Sequence, residues 1–194
     1  MQGFPISLHD YLRAVACETA RMSFPGRMSG IVAKGTKHAV EKYFVDEFPI
    51  HDIWKSSGIV ARDYDNWHKS RVQEMGTVLN SGKYVKDKNN NAEAISAKFL
   101  NTFMHQLMKY EPLRQLWDVL HLPLDRRVFT KLTSLESEAL SSVKKIILRP
   151  PYSITYEEYS AIQGVLFKLL VELNSRPDVE FKLKSRIELN LLWT

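Results

Sequence analysis

The spacing of apolar positions predicts helices along most of the chain. Ile95, Phe99, Leu100, Phe103, Met104, Leu107 and Met108 recur every three or four residues and form one apolar face. Asn91 stands where an N-cap belongs, and Glu93 suits the first turn. Lys98, Asn101, Thr102, His105 and Lys109 fall on the opposite stripe, which predicts a wet face. A second strong pattern covers TYEEYSAIQGVLFKLLVELN, with Thr155 as N-cap and Glu158 completing a capping box. In SLHDYLRAVACETARM, Ser7 and Asp10 mark the start, and Leu8, Tyr11, Leu12, Val15 and Cys17 form an apolar face that places Cys17 in the core. Shorter helices are expected over KHAVEKYFVDEF, ending before Pro49, and over DYDNWHKSRVQEMGTVL, PLRQLWDVL, DRRVFTKL and SLESEALSSVKKIIL. RPPYSI reads as a rigid linker, and KLKSRIELNLLW fits either a final helix or a short strand.

Two stretches interrupt these patterns. FPGRMSG carries Pro25, Gly26 and Gly30, and NSGKYVKDKNNN is polar with little to bury. No alternating hairpin pattern and no fixed-period repeat is present. The expected architecture is all-α, a single domain over 1–194, with possible lobes 1–80 and 92–194 joined by the polar loop 81–91.

Composition narrows the chemistry. Hydrophobic residues make up 44% and charged residues 25%, with four Trp, nine Phe and eight Tyr, which excludes a disordered chain. Cys17 is the only cysteine, so there is no intramolecular disulfide, Cys-rich zinc site or four-cysteine cluster. The histidines at 9, 38, 51, 68, 105 and 121 make no HExxH; His51 with Asp52, and His121 with Asp125, come nearest to a ligand pair. Gly-rich phosphate loops and Gly-x-Ser-x-Gly are absent, so neither a metal nor another cofactor is expected. The first residues lack the apolar core of a signal peptide, and no apolar run approaches the roughly 20 residues of a membrane span. A cytoplasmic protein without a membrane partner is expected. The net charge of +5 is compatible with a polyanionic partner.

PLDRRV, Pro123 to Val128, preceded by AKFLNTFMHQ, resembles the helix–hairpin–helix DNA glycosylases, loosely their archaeal 8-oxoguanine branch. The similarity covers the second half only, roughly residues 92 to 170. It implies a two-lobed helical bundle acting on duplex DNA in base excision. Asp125 would be the essential carboxylate at a helix start, and Lys98 would be the lysine of the enzymes with lyase activity. The glycine turn that precedes the lysine in that family is replaced here by NNNAEAISA.

The chemistry such a site needs is definite. Breaking the N-glycosidic bond of a modified base develops positive charge on the sugar, which a nearby carboxylate stabilises while orienting water. The base must leave the stack and enter a pocket. Trp54, Tyr64, Trp67 and His68 are candidates to line that pocket, and Arg126, Arg127 and Lys131 to hold phosphates. Plainer roles stand beside these: Asp125 as a simple helix cap, Lys98 and the arginines as solvated surface, and the tryptophans as core. A non-catalytic basic helical module that binds nucleic acid, or a protein-interaction module, uses the same cations without any special acid.

Overall fold

The computed structural model describes residues 7–23, 30–48, 63–107, 116–178, 180 and 182–193. Among them are seven α-helices and no strand. They are α1 (Leu8–Ser23), α2 (Thr36–Lys42, prolonged by a π-helical turn over Tyr43–Glu47), α3 (Tyr64–Ser81), α4 (Ala92–Leu107), α5 (Arg126–Ser134), α6 (Lys144–Ile147) and α7 (Tyr156–Ser175). A 3-10 segment, Arg186–Trp193, follows.

The capping chemistry visible in the sequence is realised at four helix starts, among them that of α5, where Asp125 is the cap. Asn91 Oδ1 accepts from the Glu93 amide at 2.8 Å, Ser7 Oγ accepts from the Asp10 amide at 3.1 Å, and Thr155 with Glu158 forms a complete capping box. The stretch 134–148 departs from one continuous helix. It breaks into a 3-10 turn at Glu138–Leu140 and the four-residue α6. Ser137 Oγ caps that 3-10 turn by accepting from the Ala139 amide, so the serines compete locally with helix continuation.

α4 sits at the centre. It packs on α3, α1, α7 and the 3-10 turn Pro151–Ser153. Twelve of its sixteen residues are therefore buried, among them Ser96, Asn101 and Gln106. Of the stripe expected to be wet, Asn101 is buried, Lys98, Thr102 and His105 are half-buried, and Lys109 lies outside the described residues. The polar loop 81–91 is also tied down. The Ala33 amide donates to the Tyr84 carbonyl at 2.8 Å and the Lys86 amide to Ile31 at 3.0 Å, giving an isolated bridge between Val32 and Val85. Gly82 allows the close approach of the Tyr84 ring, since a Cβ there would lie 2.1 Å from a ring carbon. The buried apolar residues form one contiguous core running from Leu12 to Leu189. Cys17, placed in the core by its spacing, is exposed; Leu12, Val15, Ala16 and Ala20 take the inner face of α1 instead. Among the described residues, no helix is long and apolar enough to cross a membrane.

Candidate functional site

Asp125 starts α5 from an extended backbone, φ −138° and ψ −178°. Its Oδ1 accepts from the Val128 amide at 3.0 Å, and its carbonyl accepts from the Phe129 amide. The proline-stiffened lead-in has its own structural use. Gln163 clamps Leu122 on both sides, accepting from its amide at 3.1 Å and donating to its carbonyl at 2.7 Å. Leu122 and Leu124 are thereby anchored in the core, and His121 is carried inward with them.

Lys98 is half-buried. Its Nζ donates to the Tyr152 hydroxyl at 2.9 Å and lies 5.3 Å from the centre of that ring. This contact ties α4 to the 3-10 turn that precedes α7. Among the described residues, no hydrogen bond or ion pair joins Lys98 to Asp125. Arg126, Arg127 and Lys131 are all exposed, with no ion pair to an acid among those residues.

Of the aromatic candidates, Tyr64 and His68 are buried and Trp67 is half-buried, edge-on to Phe48. Trp54 lies outside the described residues. The Tyr64 and His68 rings meet the His121 ring at 5.1 and 4.4 Å between centroids. Around them lies a polar cluster joining α3, α4, α7 and the segment before α5; its imidazoles and Tyr159 are buried, while the Asp65 side chain at its end is 73% exposed.

The donors and acceptors of this cluster can be ordered from one end. The Asp65 carboxylate only accepts, so His121 Nε2, 2.7 Å away, carries the proton it donates. His121 Nδ1 is then an acceptor and takes the Tyr159 hydroxyl proton at 3.0 Å. The Tyr159 oxygen in turn accepts from Asn101 Nδ2 at 2.7 Å. Asn101 Oδ1 accepts from His68 Nε2 at 2.9 Å, which leaves His68 Nδ1 to accept from the Tyr156 hydroxyl at 2.9 Å. Every link agrees with two neutral imidazoles.

Electrostatics favours the same protonation states. Burial pushes the His121 pKa down to about 4 despite the Asp65 hydrogen bond, and burial with the neighbouring His121 pushes His68 well below the usual histidine range. The Asp65–His121 contact is thus a hydrogen bond to a carboxylate rather than an ion pair. The bond from His121 holds the Asp65 pKa low. Tyr64, Tyr156 and Tyr159 are all raised by burial and stay protonated. Arg186 closes the cluster from the C-terminal segment, donating to the Val119 carbonyl at 2.8 Å and lying 3.9 Å from Asp65.

Asp65, His121 and Tyr159 form a carboxylate–imidazole–hydroxyl series of the kind that activates a nucleophile. Tyr159 is only 1% exposed, so its hydroxyl does not meet a solute. What the cluster does is fix four segments to one another.

No family model, curated protein or solved structure matches this chain.

Sequence spacing does not reveal the cluster, because Asn101 falls on the polar stripe of α4 and the acid that meets His121 is Asp65 rather than Asp125, its neighbour in the nearest approach to a ligand pair. One signal was available. Tyr156, Tyr159 and Gln163 share the apolar face of α7 with Ile162 and Leu166, and polar groups in such a place need partners.

Proposed function

We propose that this protein is a non-catalytic, basic helical module that binds the phosphate backbone of nucleic acid through α5 and α6. The observation that carries this reading is the charge arrangement of α5. Nine residues hold three exposed cations with no ion pair among the described residues, two of them in a first turn whose nearest acid is the N-cap Asp125. Cations at the positive end of a helix dipole are unfavourable by a few tenths of a kcal/mol each. An incoming phosphate offsets that cost by pairing with the arginines, while the Asp125 carboxylate keeps the capping position at the helix N-terminus.

The surroundings extend the surface. Lys144 and Lys145 of α6 are exposed and unpaired among the described residues. A groove of about 400 Å³ lies between the two helices, lined by Arg126, Thr130, Thr133, Leu148 and Arg149. Arg149 is engaged by Glu158. Among the described residues, no aromatic ring lines this groove in the open, as Phe129 is buried. Phosphate contact without base stacking is what such a face offers.

A glycosylase needs Asp125 beside a sugar and, for lyase chemistry, Lys98 with it. Asp125 has a sufficient role in capping the helix that displays the arginines, and Lys98 is spent on Tyr152.

Fluorescence anisotropy with a labelled duplex, read across a salt series, tests this. The parent should bind with a salt-dependent affinity. Replacing Arg126, Arg127 and Lys131 together by Ala should weaken binding on all sequences and lower the slope against log salt by up to about 3, near 0.9 per lost phosphate contact. Duplexes with modified bases, treated with hot alkali, should show no breaks. Breaks made by the parent and lost in Asp125→Asn would establish the glycosylase instead, and no binding at low salt would remove the nucleic-acid reading.

A further inference from the structure

Two surface features outside the buried cluster are complementary in shape and charge, and we propose that they meet between two copies of this chain. The first is a knob. Leu148 ends α6 with 70% of its surface exposed, and Lys144 and Lys145 stand one turn before it. Neither lysine has an acidic partner among the described residues.

The second is a groove of about 260 Å³ with Leu135, Leu169, Leu173 and Leu189 along its walls. Glu136 and Glu172 stand at its edge, exposed, and neither carboxylate makes an ion pair among the described residues. The remaining charge there, Arg176, is closed on Asp178 by two hydrogen bonds of 3.1 and 2.7 Å. The groove therefore offers an apolar slot with two free negative charges.

A leucine preceded at three and four residues by lysines is the occupant this slot fits. An exposed leucine alone is ordinary. Here its burial would coincide with the pairing of two free cations and two free anions, in a chain that supplies both halves. Nucleic acid and acidic peptides are repelled by Glu136 and Glu172, and an uncharged apolar ligand leaves both carboxylates unused. The lining of the groove and the residues around Leu148 have no member in common. Each copy thus presents one knob and one groove, a contact between unlike patches. One leucine in a groove of about 260 Å³ is a small contact for a protein interface, so association is weak and weakened further by salt. The inference does not rest on nucleic-acid binding, although the two occupants would compete, because Lys144, Lys145 and Leu148 belong to both surfaces.

Sedimentation velocity over a concentration series at low salt reads this directly. The parent should gain mean mass with concentration and lose it again at high salt. Leu148→Glu removes the knob, and Glu136→Lys with Glu172→Lys removes the charge of the groove; all three positions are exposed, so the fold remains. Each variant alone should stay monomeric. Mixed in equal amounts they restore one intact knob–groove pair, since the intact groove is on the first variant and the intact knob on the second, and should form a 1:1 dimer. A parent that stays monomeric at every concentration overturns the proposal. So does association that survives in either variant, or a mixture that remains monomeric. Capture of a basic leucine-bearing peptide by an otherwise monomeric parent would assign the groove to a different partner.

Discussion

The cluster around His68 and the cationic face of α5 are both polar, yet they obey opposite rules. In the cluster, five side chains and a carboxylate share hydrogen bonds in one direction, from Tyr156 to Asp65, and burial holds both imidazoles neutral. On α5, Arg126, Arg127 and Lys131 stand in water with no protein partner among the described residues. A buried polar group is expensive to leave unmatched, so His68, Asn101, His121, Tyr156 and Tyr159 are committed to one another. The buried Tyr64 hydroxyl beside them, by contrast, has no hydrogen-bond partner among the described residues. A surface cation has no such penalty and remains available to a ligand. The imidazole and hydroxyl nearest to a catalytic arrangement, His121 and Tyr159, are thus buried, and the exposed cations are suited to binding.

Breaking the cluster should give the largest effect. Asn101→Leu strips the partners from His68 Nε2 and the Tyr159 oxygen at once, and should cost about 3 to 5 kcal/mol, as two buried groups are left unsatisfied. Urea unfolding with an unchanged slope would measure it; a loss under 1 kcal/mol would mean that water enters the site freely. Acid should act next. The unfolded chain protonates its histidines near pH 6.5, whereas folded His121 does so only at about 4, and His68 is shifted the same way. As pH falls from 6.5 toward 4, the unfolded state takes up protons first and stability declines. His121 alone accounts for roughly 3 kcal/mol of that decline. Stability measured at intervals over this window should show the fall, and His121→Gln should flatten it. At the other extreme, the raised tyrosine pKa values mean that stability is kept below pH 10 and lost above it.

Smaller effects sharpen the contrast. Asp125→Ala should cost about 1 kcal/mol through loss of the cap, while Asp125→Asn, itself a good cap, should cost a few tenths. Thermal unfolding of the two variants distinguishes a capping role from a special ionised one. Least of all, replacing Arg126, Arg127 and Lys131 by Ala should change stability by less than about 0.5 kcal/mol each, in either direction. The same variant that weakens nucleic-acid binding should therefore melt near the parent temperature.

What the sequence determined by itself was local. The period of its apolar residues set the α-helical class, and Asn91 and Thr155 announced the starts of α4 and α7, because a cap is decided by residues within one turn. Composition likewise made the chain basic and left a single cysteine. Tertiary structure decided everything that depends on what covers a surface. A helical period can identify one apolar face, but it cannot know that α1, α3 and α7 will enclose α4 and turn Asn101 from a wet residue into the centre of a hydrogen-bond series. The partner of His121 was equally hidden. Asp125 is four residues away in sequence, yet Asp65, fifty-six residues away, is the one the fold brings to 2.7 Å. Pairings of that kind belong to the packing of distant segments, where the energy of a buried polar group is settled.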